Sequence, residues 1–242
     1  SSDVCSSDLT EEHFGVEITK DKLAEAIKLH NETRRLQQEI YEMQKGEEVY
    51  LTGLELLMVM LAGVSLPRPE YNKMMKDLIA ALKANGPRIK PKVRLLYTGG
   101  HADNPEFFDL LQQNDAHVVS DNTGFGTRAA DVLIREDGDP LEAIIDYYFE
   151  EKPAATRQMG TQVERMERLL DLVKQYKADG VVASRLYMCD LWAFEHFLMR
   201  KRLHENNVPF LELEVDYTPE GQGQIKTRVQ AFVESLADRQ TA

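Results

Sequence analysis

The sequence predicts an α/β protein, a doubly wound, four-stranded parallel sheet of the Rossmann-like or flavodoxin-like kind, preceded by a helical segment. After Pro87, short β-branched runs alternate with longer amphipathic runs. Strands separated by helices favour parallel pairing, because parallel neighbours need crossover connections. Before Pro87, apolar residues recur at spacings of three and four, as in helices. We therefore divide the chain into a helical segment, residues 10–88, and an α/β domain, residues 89–242.

The first nine residues, Ser1–Leu9, contain a near-duplication, SSDV followed by SSDL, that fits neither a helical nor a strand period. This segment resembles translated sequencing-adaptor sequence, and a disordered native terminus is the alternative. We expect it to be foreign or disordered, and we discount Cys5. Cys189 is then the single remaining cysteine, which excludes an intrachain disulfide and a self-contained cysteine-rich metal site.

Three helices are predicted in the helical segment. The apolar spacing from Leu23 to Met43, with Thr19 as a plausible N-cap, predicts one long amphipathic helix that ends before Gly46. His30 on this helix is assigned to packing or to the rim of a packed face, rather than to a ligand. Two shorter helices follow, Thr52–Leu61 and Tyr71–Leu82.

Four strands separated by helices are predicted in the α/β domain. The strands are Val93–Thr98, His117–Ser120, Gly180–Ser184 and Phe210–Val215. The helices are Asn104–Asn114, Pro140–Glu150, Gln162–Ala178, Leu191–Glu205 and Gln224–Ala237. Sheets of this kind bind ligands at the carboxyl ends of their strands, so the residues that follow each strand are the candidates for a site.

Charge argues against two classes of partner. Acidic residues outnumber basic ones 41 to 29, giving a net charge of −12, and on no predicted element do Lys and Arg accumulate into the kind of stripe that binds a nucleic-acid backbone. We therefore expect neither nucleic acid nor an anionic membrane surface as a partner. The longest apolar stretch, Leu56–Val64, is too short to span a bilayer, and with no signal peptide before it we expect a cytoplasmic protein.

Glycines and a histidine follow the first two strands. Gly99 and Gly100 would allow a ligand to approach the backbone closely, although neither this pair nor Gly124–Gly126 forms a dinucleotide fingerprint or a P-loop. His101 could donate to a thioester carbonyl or a phosphate, or it could only stabilise its own turn.

Three arginines lie near predicted strand ends, and each has two possible roles: Arg128, Arg185 and Arg228. Each could pair with a bound anion, or each could tie its loop to nearby carboxylates. The sequence contains no Ser-His-Asp order, HExxH or CxxC motif, so none of these common catalytic patterns applies.

Cys189 lies where the third predicted strand gives way to an amphipathic helix. A thiol at this position could ligate a metal or could be a small buried side chain. As a ligand its thiolate would face the N-terminus of the helix, where unpaired N–H groups and the helix dipole favour negative charge.

Five motifs in a fixed order give this chain a family resemblance: Thr98–His101, Asp121–Arg128, Asp179–Val182, Cys189–Trp192, and Asp216-Tyr followed by Gly223–Glu234. They resemble the 2-hydroxyacyl-CoA dehydratase and benzoyl-CoA reductase subunit family, which includes the D-component of 2-hydroxyglutaryl-CoA dehydratase. The resemblance extends from about Thr10 to Leu236. Its Gly-Gly-His and Thr-Arg-Val-Gln-Ala-Phe motifs resemble those of the benzoyl-CoA reductase branch more closely than those of the dehydratases.

The resemblance implies an iron–sulfur subunit. Family members bind a 4Fe-4S cluster through three cysteines, of which Cys189 matches the third. The other two belong to an N-terminal α/β domain that has no counterpart here. The chain would then be the C-terminal part of a longer subunit and inactive by itself. Gly99, Gly100, His101 and Arg185 would be candidates for substrate binding.

The resemblance also implies a reaction and partners. The complex would be a CoA-thioester dehydratase, which is a lyase, or a reductase, which is an oxidoreductase, using low-potential radical reduction of an acyl-CoA or aryl-CoA thioester. Its partners would be a homologous second subunit, an ATP-dependent activator protein and the CoA thioester. The alternative is a non-catalytic α/β module that binds a small molecule or partner, with Cys189 in packing.

Overall fold

The structure is a computed structural model of the 242-residue chain, and it describes residues 6–100, 104–112, 116–216 and 222–241. Four strands form one sheet: β1 Val93–Gly99, β2 Ala116–Asn122, β3 Gly180–Leu186 and β4 Phe210–Val215. All three pairings are parallel, and the strand order is β2-β1-β3-β4. This order matches the first four strands of the flavodoxin-like sheet. The predicted doubly wound α/β fold is confirmed.

Ten helices are described in these residues. Those before the sheet are α1 Ser6–Phe14, α2 Lys20–Glu42, α3 Gly53–Ser65 and α4 Arg68–Asn85. Those between and after the strands are α5 Pro105–Leu111, α6 Thr127–Ala130, α7 Pro140–Asp146, α8 Gln162–Gln175, α9 Asp190–Glu205 and α10 Gln222–Thr241. A π-helical turn, Tyr147–Glu151, continues α7.

Two of the helices before the sheet, α2 and α3, begin at side-chain caps, and the sequence indicated the first of these, Thr19. The Thr19 hydroxyl accepts a hydrogen bond from the N–H of Lys22 at 3.3 Å at the start of α2. At the start of α3, Thr52 and Glu55 form a capping box, in which each side chain accepts the other's backbone N–H, at 3.2 and 2.8 Å. These bonds satisfy N–H groups that have no partner inside the helix.

Helices cover both faces of the sheet. On one face, α8, α9 and the helices α2 to α4 pack against Leu96, Val119, Val181 and Ala183. On the other face, α5, α10 and part of α3 pack against other strand residues, including Leu95, Val118, Val182 and Leu213. Apolar side chains of the helical segment and of the sheet share the first of these cores. The division at residue 88 therefore remains a prediction about domain organisation.

Some elements differ from those predicted. Helix α1 includes Ser6–Leu9, a stretch whose pattern indicated no helix, while residues 1–5 lie outside the described part. The short helix α6 was not predicted. The predicted helix Pro140–Glu150 changes to π-helical hydrogen bonding from Tyr147, where the N–H of Lys152 bonds to the Tyr147 carbonyl at 2.8 Å. No described helix is both long and apolar enough to cross a membrane.

Candidate functional site

The carboxyl ends of β1 and β3 form the crevice in which sheets of this topology bind ligands. These strands are neighbours, and Gly99 pairs with Ser184 in parallel register. The helix that follows β1, α5, packs on one face of the sheet, and the helix that follows β3, α9, packs on the other. Connections that leave toward opposite faces open a crevice between the two strand ends.

Cys189 is the N-cap residue of α9, at this edge of the sheet. Its backbone carbonyl accepts the first hydrogen bond of the helix, from Ala193 at 3.0 Å, while its side chain makes no capping bond. The thiol is free and half-buried. The preceding residue, Met188, has a φ of +62°, a left-handed conformation that costs a non-glycine residue about 1–2 kcal/mol. The chain therefore reaches Cys189 through a strained turn, as often occurs at functional sites.

Gly99 and Gly100 lie at the same edge and have a packing explanation. A Cβ on Gly99 would lie 2.5 Å from the carbonyl oxygen of Ser184, and a Cβ on Gly100 would lie 2.3 Å from Nε1 of Trp192. The glycines thus let β3 and the first turn of α9 approach the end of β1. Contact between these glycines and a ligand remains a prediction.

The other two candidates for substrate binding differ in what the structure describes. His101 lies outside the described residues. The guanidinium of Arg185 forms an ion pair with Glu214 on β4, and its Nε lies 3.7 Å from Glu212. Arg185 therefore already has carboxylate partners, and its role in substrate binding remains a prediction.

Exposed apolar side chains lie close to Cys189 in the sequence. Met188 is 77% exposed and Phe194 is 75% exposed, and three neighbours are also exposed: Tyr187, Leu191 and Phe197. Large apolar side chains grouped on a surface mark contact sites more often than single ones do.

Polar groups without a signal in the sequence hold α9 in place. Arg165 on α8 and Glu195 on α9 form a buried, bidentate ion pair, with distances of 2.8 and 2.7 Å. The two residues lie far apart in the sequence, and each belongs to an ordinary helical pattern. The sequence therefore did not indicate this pairing. The ion pair fixes α9, and hence the N-cap position of Cys189, against α8.

His196, also on α9, is completely buried. Its Nδ1 lies 3.4 Å from Oε1 of Glu212 in a contact that lacks hydrogen-bond geometry, and neither ring nitrogen has a hydrogen-bond partner. The rings of Trp192 and Phe210 lie about it, with centroids 6.0 and 6.2 Å away. Burial lowers the pKa of His196, although Glu212 opposes the shift, so the imidazole is neutral at neutral pH.

A second polar network lies at the carboxyl end of β2. Asp121 accepts hydrogen bonds from the N–H and hydroxyl of Thr123, at 2.9 and 2.7 Å, and from the phenol of Tyr41. Burial and the Asp121 carboxylate raise the pKa of Tyr41 well above its ordinary value. A Cβ on Gly126 would lie 1.9 Å from Asp121, so this loop of the Asp121–Arg128 motif requires glycine there. The network ties the motif to α2.

Metal binding by this part of the chain would need ligands from elsewhere. Among the described residues, no group of three His, Cys, Asp or Glu side chains is arranged to hold a metal ion. The chemistry of Cys189 fits one thiolate ligand at a helix N-terminus, but one thiolate cannot hold a 4Fe-4S cluster. The described residues thus suit one ligand of a shared site.

Comparison with known proteins identifies the family. The family profile described as 2-hydroxyglutaryl-CoA dehydratase, D-component, matches residues 8–236. The chain belongs to this family. The match includes the helical segment as well as the sheet, and it confirms the resemblance that the five motifs indicated.

Relatives in the family are 24–29% identical to this chain over the aligned residues. It is 29% identical over 93% of its length to a protein of Escherichia coli (strain K12) named as the dehydratase subunit YjiM. It is 24% identical to the (R)-phenyllactyl-CoA dehydratase beta subunit of Clostridium sporogenes, over 92% of its length, and to a benzoyl-CoA reductase subunit of Thauera aromatica, over 93%. The chain spans 60%, 59% and 59% of these relatives. The chain is equally identical to this dehydratase subunit and to this reductase subunit. Its assignment to the reductase branch therefore remains a prediction.

Proposed function

We propose that this chain is part of an iron–sulfur subunit of a 2-hydroxyacyl-CoA dehydratase or benzoyl-CoA reductase complex, with Cys189 as one protein ligand of a 4Fe-4S cluster. The family match over residues 8–236 carries this proposal. The position of Cys189, at the N-cap of α9 and at the switch point of the sheet, supports it. The substrate would be an acyl-CoA or aryl-CoA thioester, and the compartment the cytoplasm.

Other protein ligands would come from residues outside this chain. Bound there, a cluster would supply low-potential electrons for the reduction of the thioester. On this proposal the complex also includes a homologous second subunit and an ATP-dependent activator protein that supplies electrons.

The chain's own residues would hold and shield the ligand. Arg165 and Glu195 fix α9, and Gly100 lets Trp192 in the first turn of α9 pack against the end of β1. The exposed Met188 and Phe194 would exclude water from the thiolate once another segment covers them. Exclusion of solvent and hydrogen bonds to sulfur are the means by which a protein sets the potential of such a group.

The test is Cys189→Ser in the intact complex, purified without oxygen. Serine keeps the volume but supplies a harder, less acidic oxygen ligand, so iron content should fall and turnover should be lost while the complex still assembles. Wild-type complex purified in the same way is the control. A cysteine that only packs should tolerate the change to serine with a loss of stability on the order of 1 kcal/mol.

Full iron content and near wild-type turnover in Cys189→Ser would contradict the role of Cys189 as a ligand and would assign it to packing. Assay with the CoA thioester of a 2-hydroxy acid and with an aromatic CoA thioester separates the two reactions. Loss of water from the first indicates a dehydratase, and reduction of the second indicates a reductase.

A further inference from the structure

A small cavity lies between the helical segment and the end of β2. Its volume is about 190 Å³, and its walls come from α2, the end of α3, the start of α4, the loop after β2 and the residues around the π-helical turn. Pockets for drug-sized ligands begin at roughly 300 Å³, so this cavity suits a single chemical group rather than a whole cofactor. None of Cys189, Gly99, Gly100 and Arg185 lines it.

The cavity is basic. Its walls carry His30, Arg34, Arg68 and Lys152, and no carboxylate. In the residues that the structure describes, none of these four side chains forms an ion pair with Asp or Glu. The chain as a whole has a net charge of −12, so basic side chains without acidic partners are unexpected around one cavity. Such an arrangement is suited to binding an anion.

Arg34 supplies a buried donor with no partner. Its side chain is only 9% exposed, and its Nη1 donates to Oδ1 of Asn31 at 3.2 Å. The guanidinium carbon lies 4.8 Å from the ring centroid of Tyr147, a contact that holds the group in the wall of the cavity. Its Nε has no hydrogen-bond partner. A buried N–H of a charged group is destabilising when it is left unpaired, and a bound anion would accept from it.

A third arginine, Arg128, adds to the positive charge beside the cavity. A Cβ on Gly124, which lines the cavity, would lie 3.7 Å from Nη2 of Arg128. The Nε of Arg128 is also buried without a partner. Burial, followed by Arg128 and Arg34, lowers the pKa of Lys152, as expected for a partly buried amine near other cations.

We propose that this cavity binds a phosphoryl group. A phosphate carries up to two negative charges and presents several acceptor oxygens, which match donors that converge from α2, α4 and the residue after the π-helical turn. The proposal stands on the cavity and its side chains, and it does not depend on iron binding by Cys189. The phosphoryl group could belong to coenzyme A or to inorganic phosphate, because both present the same chemistry.

The test uses the whole chain, titrated with inorganic phosphate in a calorimeter at low salt. Wild type should bind one phosphate, and Lys152→Met should weaken binding by about tenfold or more, the loss expected for a charge-assisted hydrogen bond. Lys152 has a matched control in Lys45, because both amino groups lie over tyrosine rings, at 5.0 and 5.4 Å from the centroids, and Lys45 does not line the cavity. Lys45→Met should bind phosphate as wild type does.

Arg68→Gln is the second variant, since Arg68 is half-buried at the start of α4 and also lines the cavity. It should weaken binding as Lys152→Met does. Circular dichroism and the unfolding midpoint check that each variant is folded. Absence of saturable phosphate binding by wild type would overturn the proposal. Equal losses in Lys45→Met and Lys152→Met would also overturn it, because they would indicate a general effect of charge.

Three further ligands identify the source of the phosphoryl group: coenzyme A, 3′-dephospho-coenzyme A and pantetheine. If coenzyme A displaces phosphate and pantetheine does not, the phosphoryl group belongs to coenzyme A. Comparison with the 3′-dephospho compound then shows whether the 3′-phosphate is the group that binds. If only inorganic phosphate competes, the cavity binds the free anion. Both results support a phosphoryl site, and both can be read in protein without iron, so they are independent of the proposed function.

Discussion

The indole of Trp192 lies against Gly100 so closely that a Cβ on the glycine would be 2.3 Å from Nε1 and 2.6 Å from Cδ1. This contact joins the end of β1 to the first turn of α9, the turn that Cys189 caps. One glycine therefore lets the first turn of α9 pack directly against the end of β1, at the edge of the candidate crevice.

Gly100→Ala should displace Trp192 and destabilise the protein by about 1–3 kcal/mol, because a methyl group has no space there. Trp192 is the only tryptophan of the chain, so its fluorescence spectrum reports the displacement directly. Gly124→Ala is the matched control, since a Cβ there meets its nearest neighbour at 3.7 Å, an ordinary contact. An unchanged spectrum and unfolding midpoint in Gly100→Ala would contradict this packing.

The buried pair Arg165–Glu195 predicts a large effect on stability. Arg165→Met leaves the Glu195 carboxylate buried without its partner and should lower the free energy of unfolding by about 3–5 kcal/mol in urea titration. Arg202→Met breaks an exposed pair with Glu167 between the same two helices and should cost less than about 1 kcal/mol. Equal losses of stability in both variants would show that the buried ion pair contributes no more to stability than the exposed one.

Addition of Glu195→Leu to Arg165→Met should restore much of the lost stability. The double change removes both charges, and well-packed apolar residues often replace a buried ion pair without a net loss. Failure of the double variant to recover would mean that packing, rather than the unpaired charge, caused the loss.

His196 predicts a pH dependence of stability. Burial lowers its pKa below the ordinary 6.5, an effect that Arg185 and Arg200 reinforce and Glu212 opposes. The unfolded chain therefore binds the proton more readily, so His196 makes stability fall as the pH falls through 6.5 toward the folded-state pKa. Its contribution to the slope cannot exceed about 1.4 kcal/mol per pH unit for one proton.

The measurement compares wild type with His196→Gln, by urea unfolding at several pH values from about 8 to about 5. The variant should lose stability less steeply on acidification. His30, whose pKa burial and two neighbouring arginines also lower, is present in both proteins and cancels in the comparison. Parallel curves would show that His196 does not contribute.

Local pattern was enough to predict the elements and the class of fold. The spacing from Leu23 to Met43 identified α2, and Thr19 marked its start. Four β-branched runs separated by helices required parallel pairing, because a parallel neighbour needs a crossover. The order of five short motifs indicated the family. All of these signals lie within one element or in the order of elements, where chain neighbours decide the structure.

The tertiary structure decided which elements meet. Periodicity shows that one face of an element is buried, but not which other element buries it. The strand order β2-β1-β3-β4, the pairing of Arg165 with Glu195 and the complete burial of His196 therefore had no sequence signal. The basic cavity is a further case. Arg34 and Lys152 are more than a hundred positions apart, and they line one cavity only because the helical segment packs against the end of β2.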